Sequence, residues 1–339
     1  MHADVAAPPT PTRRSYRRLL IGVGLAALLL WPGWQVGRVL LGANFHEVIP
    51  GKLYRGAQPS GKALENLVHS HKIRTVLNVR GCCYPDQWYL DEAEVCERLG
   101  VNLEDICFSA VHLPSRHELR MLIEVLERAE QPIFVHCRHG ADRTGIASMA
   151  AQLLLVDDTY ESAHHQLSLR YAHAPIGKTT MLDRFVKLYA DWLQQTGKEH
   201  TSANFRQWAT HEYRGGWCDA QFVKVERIAA EPRIGETLQY AVAVKNTGPT
   251  AWQFRPTRTA GHHVTFKVVD DKHNIIIEGR AGMLDKRVEP GETIEVVMIV
   301  PPLAKVGYYR LMVDMIEEGH CWFHQTGSDM WEEELIIRE

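Results

Sequence analysis

One short segment of the chain carries side chains at a spacing that suits attack on a phosphate monoester: residues 136–145, HCRHGADRTG. A cysteine thiolate, here Cys137, is a strong nucleophile that its surroundings can keep ionised at neutral pH. Five residues separate it from Arg143, so the backbone can curl until successive N–H groups point at one centre. Gly140 permits the close turn. Arg143 completes the ring, because its planar guanidinium can bind two phosphate oxygens at once.

A predicted strand before this loop and a predicted helix after it are expected to position the loop. Apolar residues 132–135 predict a strand that runs into Cys137, and the nearly all-apolar residues 146–156 predict a helix buried at the centre of a domain. Because that helix starts near Arg143, its positive end adds to the anion site and favours the thiolate. The predicted phosphate-binding residues are Arg138, His139, Gly140, Ala141, Asp142 and Arg143.

The surrounding chain alternates between helix and strand patterns over residues 45–197. Short β-branched apolar runs predict strands at 73–79 and 101–108. Apolar residues at helical spacing, with turn residues at the ends, predict helices near the ranges 59–71, 86–99, 117–129, 159–171 and 180–195. Such alternation indicates an α/β domain with a mainly parallel sheet flanked by helices.

The pattern changes after residue 197. Residues 198–221 are expected to be a linker that packs partly on a domain. Beyond them, residues 222–339 contain no convincing long helix, and alternating runs predict strands at 239–245, 264–269, 293–300 and 308–316. Short strands at this spacing indicate an all-β sandwich domain. It contains no recognisable catalytic motif, so it is expected to be a spacer or a carbohydrate- or protein-binding unit with an unknown ligand.

The amino-terminal residues differ in composition from the rest. Residues 1–18 are expected to form a disordered basic N-terminus, and residues 19–41 a single transmembrane anchor or a signal sequence. Four arginines precede the uncharged stretch 19–36 and one follows it at Arg38. This asymmetry predicts a cytoplasmic amino terminus and an exported body, periplasmic or at the cell surface. Secretion after signal cleavage is the alternative, and a buried core helix fits poorly beside the arginines.

Composition limits the remaining possibilities. A net charge of -3 over 339 residues gives no indication of a nucleic-acid partner. The seven cysteines lack the paired spacing of a structural zinc site. Adjacent histidines at 164–165 and 262–263 point apart in a helix or strand, so neither a metal nor a cofactor is expected. Cys82 and Cys83 are either incidental neighbours or a redox pair.

The motif HCxxGxxRT, placed after a strand and before a buried helix, resembles that of the protein-tyrosine and dual-specificity phosphatases. Residues 45–60, FHEVIPGKLYRGAQPS, together with IRTVLNVRG, are similar to the bacterial and fungal atypical dual-specificity branch. The resemblance covers about residues 45–195 and implies a cysteine-phosphatase domain. It implies that Cys137 forms a phosphocysteine, Arg143 binds phosphate, Thr144 hydrogen-bonds the thiolate and His136 orders the loop. The carboxy-terminal region resembles immunoglobulin-like or fibronectin-like modules.

The general acid stays open among three residues. Related phosphatases supply an aspartate upstream of the nucleophile, which favours Asp105, although Asp105 lies within the predicted strand 101–108. The following loop, 109–114, offers His112. Asp142 resembles the aspartate that myotubularin-type lipid phosphatases carry in the phosphate loop, but it can equally orient Arg143 or cap the following helix.

The substrate and two possible rim positions are also open. A phosphorylated protein is the first expectation, a phosphoinositide or phosphosugar the second, and a non-catalytic phosphate-binding module the third. Arg80 ends the strand 73–79 and would lie at the rim of the site, or is a solvated charge. Tyr54 and Arg55 resemble the family's entry segment, but surface packing explains them equally well.

Overall fold

The computed structural model describes Gly37 and residues 43–81, 86–228 and 231–339. The expected N-terminus 1–18, almost all of the expected anchor or signal 19–41, and the Cys82–Cys83 pair lie outside the described residues. Within the described ranges, no helix combines the length and apolar character needed to cross a bilayer.

The first part of the chain is built on a five-stranded sheet in the order β1-β2-β5-β3-β4. Strands β2 to β5 are parallel and β1 pairs antiparallel with β2, which agrees with the predicted mainly parallel sheet. The strands are β1 His46–Ile49, β2 Leu53–Ala57, β3 Thr75–Asn78, β4 Asn102–Asp105 and β5 Ile133–Cys137. The sequence patterns did not predict β1 and β2. Their residues lie in the stretch 45–60, which resembles a family motif.

Seven α-helices flank this sheet among the described residues. They are α1 Gly61–His71, α2 Gln87–Leu99, α3 Arg116–Arg128, α4 Asp142–Leu155, α5 Tyr160–His164, α6 Thr180–Thr196 and α7 Ser202–Gln207. Successive strand residues face opposite layers, as the pleat requires. Phe134 packs in one apolar cluster with residues of α1 and α2, whereas Val135 packs in another with residues of α3, α4 and α6. Helix α4 is therefore central, and almost all its side chains are buried.

Two expected elements differ in the structure. The predicted helix 159–171 is helical only over α5, and a separate 3-10 turn follows at Leu169–Tyr171. The chain leaves the helix because the Gln166 carbonyl accepts a hydrogen bond from a buried arginine and Leu167 packs against Gly145. The expected linker 198–221 is largely part of the first domain. Phe205 and Trp208, from α7 and the π-helical turn after it, are buried in its core.

The second part of the chain contains ten strands, in agreement with the predicted strand-rich region. They are β6 Ala220–Arg227, β7 Leu238–Asn246, β8 Trp252–Phe254, β9 His262–Asp270, β10 Ile275–Ala281, β11 Lys286–Val288, β12 Thr293–Val300, β13 Gly307–Glu317, β14 Cys321–Trp322 and β15 Trp331–Ile337. Strands β6, β7 and β12 form one sheet and the other seven form a second. Side chains from both sheets, including Val244 and Phe266, share one buried core.

The two parts meet through a buried polar contact. The guanidinium of Arg116, at the start of α3, lies 3.1 Å from the Asp219 carboxylate and donates to the carbonyl of Ala220. The loop between β4 and α3 also contacts the second part, since the backbone N–H of Leu113 donates to the Gln325 carbonyl. Arg116 and Asp219 are both at least nine-tenths buried. The strand-rich region is thus packed against the loop that leads out of β4.

Candidate active site

Cys137 is the last residue of β5 and is 3% exposed. Its carbonyl accepts a hydrogen bond from the backbone N–H of Gln58, which holds the start of the loop to the segment after β2. Gly140 has φ of +67°, and a Cβ there would lie 2.4 Å from the carbonyl carbon of Gly56. Both the conformation and the close approach require glycine at this position.

Two buried side chains bind the outer face of the loop. The side-chain amide of Asn44 donates to the carbonyls of His139 and Gly140, at 3.2 and 2.9 Å. The Arg55 guanidinium donates to the carbonyls of Gly140 and Ala141, at 2.8 and 3.1 Å. Because N–H and C=O point in opposite directions across a trans peptide, holding these carbonyls outward directs the following N–H groups inward. This arrangement of the carbonyls is the one that an anion nest requires.

Arg55 is fully buried, so the surface-packing explanation of this residue is wrong. Its remaining contacts are the carbonyl and side chain of Gln166, at 2.9 and 2.7 Å, and the ring of Tyr171, 4.0 Å from the guanidinium carbon. Burial lowers the pKa of Arg55 to about 10, so the side chain stays protonated at neutral pH. The sequence did not predict that Asn44 and Arg55 bind the loop. The one indication for Arg55 was its position inside a short apolar run.

Arg143 lies at the start of α4, half-buried. Its guanidinium donates to the carbonyls of Arg80 and Phe108, at 3.4 and 3.3 Å. Arg80 itself donates to the side chain of Gln58 and stacks 3.9 Å above the Trp88 ring. Arg80 is thus part of the wall around Arg143, in agreement with the rim position, and is not a solvated charge.

The two residues that flank Cys137 and Arg143 in the motif are fully buried. His136 Nε2 lies 3.0 Å from the carboxylate of Glu92, which is 2% exposed. The two side chains form no hydrogen bond with each other. The hydroxyl of Thr144 is buried and has no hydrogen-bond partner within the described residues, so the structure does not show the expected hydrogen bond to Cys137. Glu92 was not predicted.

Asp105 is the last residue of β4, two strands away from Cys137 in the sheet order. Neighbouring strands lie ~4.8 Å apart, so about 10 Å separates the two backbones. The Asp105 carboxylate accepts hydrogen bonds from the Tyr89 hydroxyl at 2.6 Å and from the Asn78 amide at 2.8 Å. Burial nevertheless raises the pKa of Asp105, which favours the protonated form that a general acid needs.

Asp142 is engaged elsewhere. Its carboxylate lies 2.7 Å from Nδ1 of the buried His173, whose Nε2 lies 3.3 Å from Asp183. Burial opposes protonation of His173, but the two carboxylates outweigh it and raise its pKa. Asp142 therefore holds the loop to the segment after α5. It does not pair with Arg143 and its side chain does not cap α4, contrary to the two structural roles expected for it.

A cleft of about 590 Å³ lies between the two parts of the chain, and its lining contains no residue of the phosphate loop. Its lining includes Asp105, Cys107 and His112 from the first part and His324, Ser328 and Asp329 from the second. The rings of His112 and His324 meet edge to face at 5.5 Å. Two of the three candidate acids, Asp105 and His112, thus face this cleft.

The adjacent histidines at 164–165 and 262–263 belong to no group of possible metal ligands among the described residues. Nε2 of His263 lies 2.8 Å from the Arg255 carbonyl. Within the described ranges, the group of side chains close enough to hold an ion is Cys218, Glu317 and Cys321.

Comparisons with known proteins match the part of the chain that contains this site. Residues 44–187 match the family model described as a DSP-PTPase phosphatase fused to NAD+ kinase. The inositol diphosphatase SIW14 of Saccharomyces cerevisiae is 28% identical over 107 residues, which are 30% of this chain and 36% of the relative. The chain thus spans about a third of the length of that curated relative. Residues 44–187 form a DSP-PTPase-like phosphatase domain.

Two solved structures align with part of this chain. The catalytic domain of SIW14 in complex with citrate has a TM-score of 0.34 at 21% identity, covering 44% of this chain and 93% of its own. A cysteine-to-serine variant of TpbA from Pseudomonas aeruginosa, in complex with phosphotyrosine, has a TM-score of 0.34 at 16% identity, covering 43% and 84%.

Proposed function

We propose that this protein hydrolyses phosphate monoesters through a phosphocysteine intermediate. The observation that carries the proposal is the loop after Cys137, whose carbonyls are held outward by Asn44 and Arg55. The N–H groups, the Arg143 guanidinium and the positive end of α4 then surround one centre next to the nucleophile. This arrangement matches a phosphate dianion in charge and shape.

The reaction has two steps. The Cys137 thiolate attacks phosphorus in line, and the P–O bond to the leaving alcohol breaks while a general acid gives that oxygen a proton. Water then attacks the phosphocysteine, the same group takes a proton from it, and the S–P bond breaks to release phosphate and the thiolate. Arg143 and the loop N–H groups bind the non-bridging oxygens throughout.

Asp105 is the proposed general acid. Its raised pKa and its place at the end of β4, two strands from Cys137, support this role. Asp142 is the second candidate, weakened by its contact with His173, and His112 the third. For the substrate, a phosphotyrosyl or other phosphorylated protein is the first candidate. An inositol polyphosphate is the second, favoured by the relative named an inositol diphosphatase and by Arg138, which is exposed beside the nucleophile.

The nucleophile is tested by Cys137→Ser, with Cys96→Ala as the control because Cys96 is also buried but lies in α2. We expect Cys137→Ser to abolish phosphate release and still bind vanadate, since the nest and Arg143 remain. Arg143→Ala should lose both, and Arg143→Lys should be poor because lysine lacks the planar fork. Turnover that survives in Cys137→Ser would exclude the mechanism. Phosphate release from phosphotyrosyl, phosphoseryl, phosphoinositide and inositol pyrophosphate substrates would identify the substrate class.

We further propose that the phosphatase is exported and anchored through residues 19–41, as the arginine asymmetry supports. An alkaline phosphatase fused after residue 60 should then be active. An inactive fusion, with activity from a cytoplasmic reporter at the same position, would contradict this topology.

For the strand-rich region we propose an immunoglobulin-like sandwich that binds a carbohydrate or protein. The support is its two sheets around one core. Screening the full chain against glycan and peptide arrays tests this role, and the absence of a specific ligand would count against it.

A further inference from the structure

Two cysteines far apart in the sequence meet at the edge of the strand-rich region. Cys218 lies just before β6 and Cys321 begins β14, 103 positions later. Their sulfur atoms are 3.0 Å apart. This separation is shorter than the contact distance of two non-bonded sulfurs and about 1 Å longer than a disulfide bond. A small shift of side chains is therefore enough to join them.

The surroundings give the two thiols different roles in such a reaction. Cys218 is 2% exposed and belongs to the apolar core of the second part, whereas Cys321 is partly exposed. The two thiols lie within hydrogen-bond distance of each other, and this contact lowers the pKa of Cys321. The outer cysteine is therefore the one that a reagent can reach and the one that ionises more easily. The inner cysteine is placed to complete the bond.

A metal ion is the competing explanation, because Glu317 lies beside the two cysteines. A structural zinc takes four ligands, and two thiolates bound at ~2.3 Å in tetrahedral geometry lie ~3.8 Å apart. The cluster provides three ligands, and its sulfurs are closer than that. The Glu317 carboxylate is also paired with His320 at 2.8 Å. These contacts favour a direct bond between the sulfurs.

We propose that Cys218 and Cys321 form a disulfide by thiol exchange with a disulfide of the glutathione type. The Cys321 thiolate attacks one sulfur of the oxidant, forming a mixed disulfide and releasing one thiolate. Cys218 then loses its proton and attacks Cys321, and the second thiolate leaves. The two protein thiols are oxidised and one oxidant disulfide is reduced to two thiols. An exported protein encounters such oxidants.

The crosslink would join two segments that both contact the phosphatase domain. Asp219, next to Cys218, binds Arg116 of α3. The turn after β14 carries Gln325, whose carbonyl accepts from Leu113 in the loop after β4. The Thr326 hydroxyl already ties this turn to the Cys218 carbonyl at 2.9 Å. Oxidation would therefore stabilise the contact surface beside the cleft.

Peptide mapping of the wild-type chain tests the bond directly. The full protein is incubated with oxidised glutathione, remaining thiols are alkylated, and the sample is digested with trypsin without reduction. Trypsin places Cys218 in peptide 215–224 and Cys321 in peptide 311–338, and each contains no other cysteine. We expect these two peptides to be linked. Two alkylated peptides, a link to a different cysteine, or one tightly held zinc per chain with both thiols reduced would overturn the proposal.

Thermal unfolding gives an independent measurement. The oxidised wild type should lose several degrees of unfolding temperature when a phosphine reductant is added, because the bond restricts the unfolded chain over a long loop. Cys218→Ala and Cys321→Ala should show no dependence on the reductant, and Cys96→Ala should keep it. An unfolding temperature of the mapped, linked wild type that does not respond to reductant would contradict the stabilising role. The mapping needs no variant, so poor folding of a variant leaves the test intact.

Discussion

Arg55 shows how a single buried side chain determines the shape of the phosphate loop. It donates to two loop carbonyls and to Gln166 without exposure to water. Removing it takes the charged donor from both loop carbonyls and leaves Gly140 with Asn44 and Ala141 with the Gly145 N–H. A hydrogen bond to a charged group typically contributes ~1.5–3 kcal/mol. The loop can then turn a carbonyl toward the bound phosphate, where it repels the anion.

We therefore expect Arg55→Ala to lower kcat/KM by about 100-fold, which corresponds to ~2.7 kcal/mol of transition-state stabilisation. Vanadate affinity should fall with it, because the same N–H groups bind both anions. Arg98→Ala is the control, since Arg98 forms an exposed ion pair with Glu65 between α1 and α2. Steady-state kinetics and vanadate inhibition measure the effect, and wild-type values for both in Arg55→Ala would exclude this role.

The proposed role of Asp105 predicts a dependence on the leaving group. Asp105→Asn should reduce hydrolysis of alkyl phosphates by about 10²- to 10⁴-fold. It should have much less effect on p-nitrophenyl phosphate, whose leaving group needs no proton. Because burial raises the pKa of Asp105, the acid form should persist above the usual carboxyl range. Activity should then fall as pH rises through that pKa, and this limb should be absent in Asp105→Asn. If Asp105→Asn hydrolyses alkyl phosphates and p-nitrophenyl phosphate at the wild-type rate, Asp105 is excluded as the general acid. Asp142 then becomes the first candidate for that role.

Among the secondary-structure elements, the turn from β5 into α4 requires a glycine at position 140. This glycine combines positive φ with a backbone contact to Gly56 in β2. Gly100, which ends α2, has nearly the same φ of +64° but open space where a Cβ would lie. Comparing alanine substitutions at Gly140 and Gly100 therefore distinguishes the effect of backbone strain from that of steric overlap.

Gly140→Ala should consequently abolish phosphate binding, because the loop has to move away from β2 to accommodate the Cβ. Gly100→Ala should retain activity and lose only ~1–2 kcal/mol of stability, the cost of left-handed backbone for an alanine. Vanadate titration and urea unfolding of the two variants measure these effects. Similar vanadate affinities in both variants would contradict the steric argument.

A deeply buried ion pair, Arg116 with Asp219, connects the two parts of the chain. Burial raises the pKa of Asp219, and the Arg116 charge opposes that shift. Without Arg116, the buried Asp219 carboxylate would keep only the longer contact with the half-exposed Arg214, at 3.7 Å. Unpairing a buried ion in this way typically costs ~3–5 kcal/mol.

Arg116→Ala should thus destabilise the protein by ~3–5 kcal/mol, and Arg116→Ala with Asp219→Asn should recover part of the loss. Arg128→Ala is the matched control on the same helix, since its pair with Glu104 is exposed, and it should change little. Chemical unfolding of the three variants measures the differences. A double variant less stable than Arg116→Ala would show that the unpaired carboxylate is not the cause.

The sequence by itself determined the elements and the catalytic motif. Apolar periodicity and turn residues are local signals, so they were sufficient for α1 to α4, α6 and most of β9, β12 and β13. The spacing of Cys137, Gly140 and Arg143 similarly predicted a turn that could bind an anion. The short strands β1 and β2 escaped prediction because they carry no alternating pattern, and β2 is buried almost throughout.

Only the tertiary structure decided which distant residues complete the site. Arg55 and Asn44 lie 85 and 96 positions from Gly140, and Asp142 meets His173 31 positions later. Cys218 and Cys321 are separated more widely still. Such partners are set by chain topology and by the need to satisfy buried polar groups. Neither chain topology nor the pairing of buried polar groups can be read from a local sequence pattern. The burial of Arg55 and the contact between the two parts therefore became evident only in the folded chain.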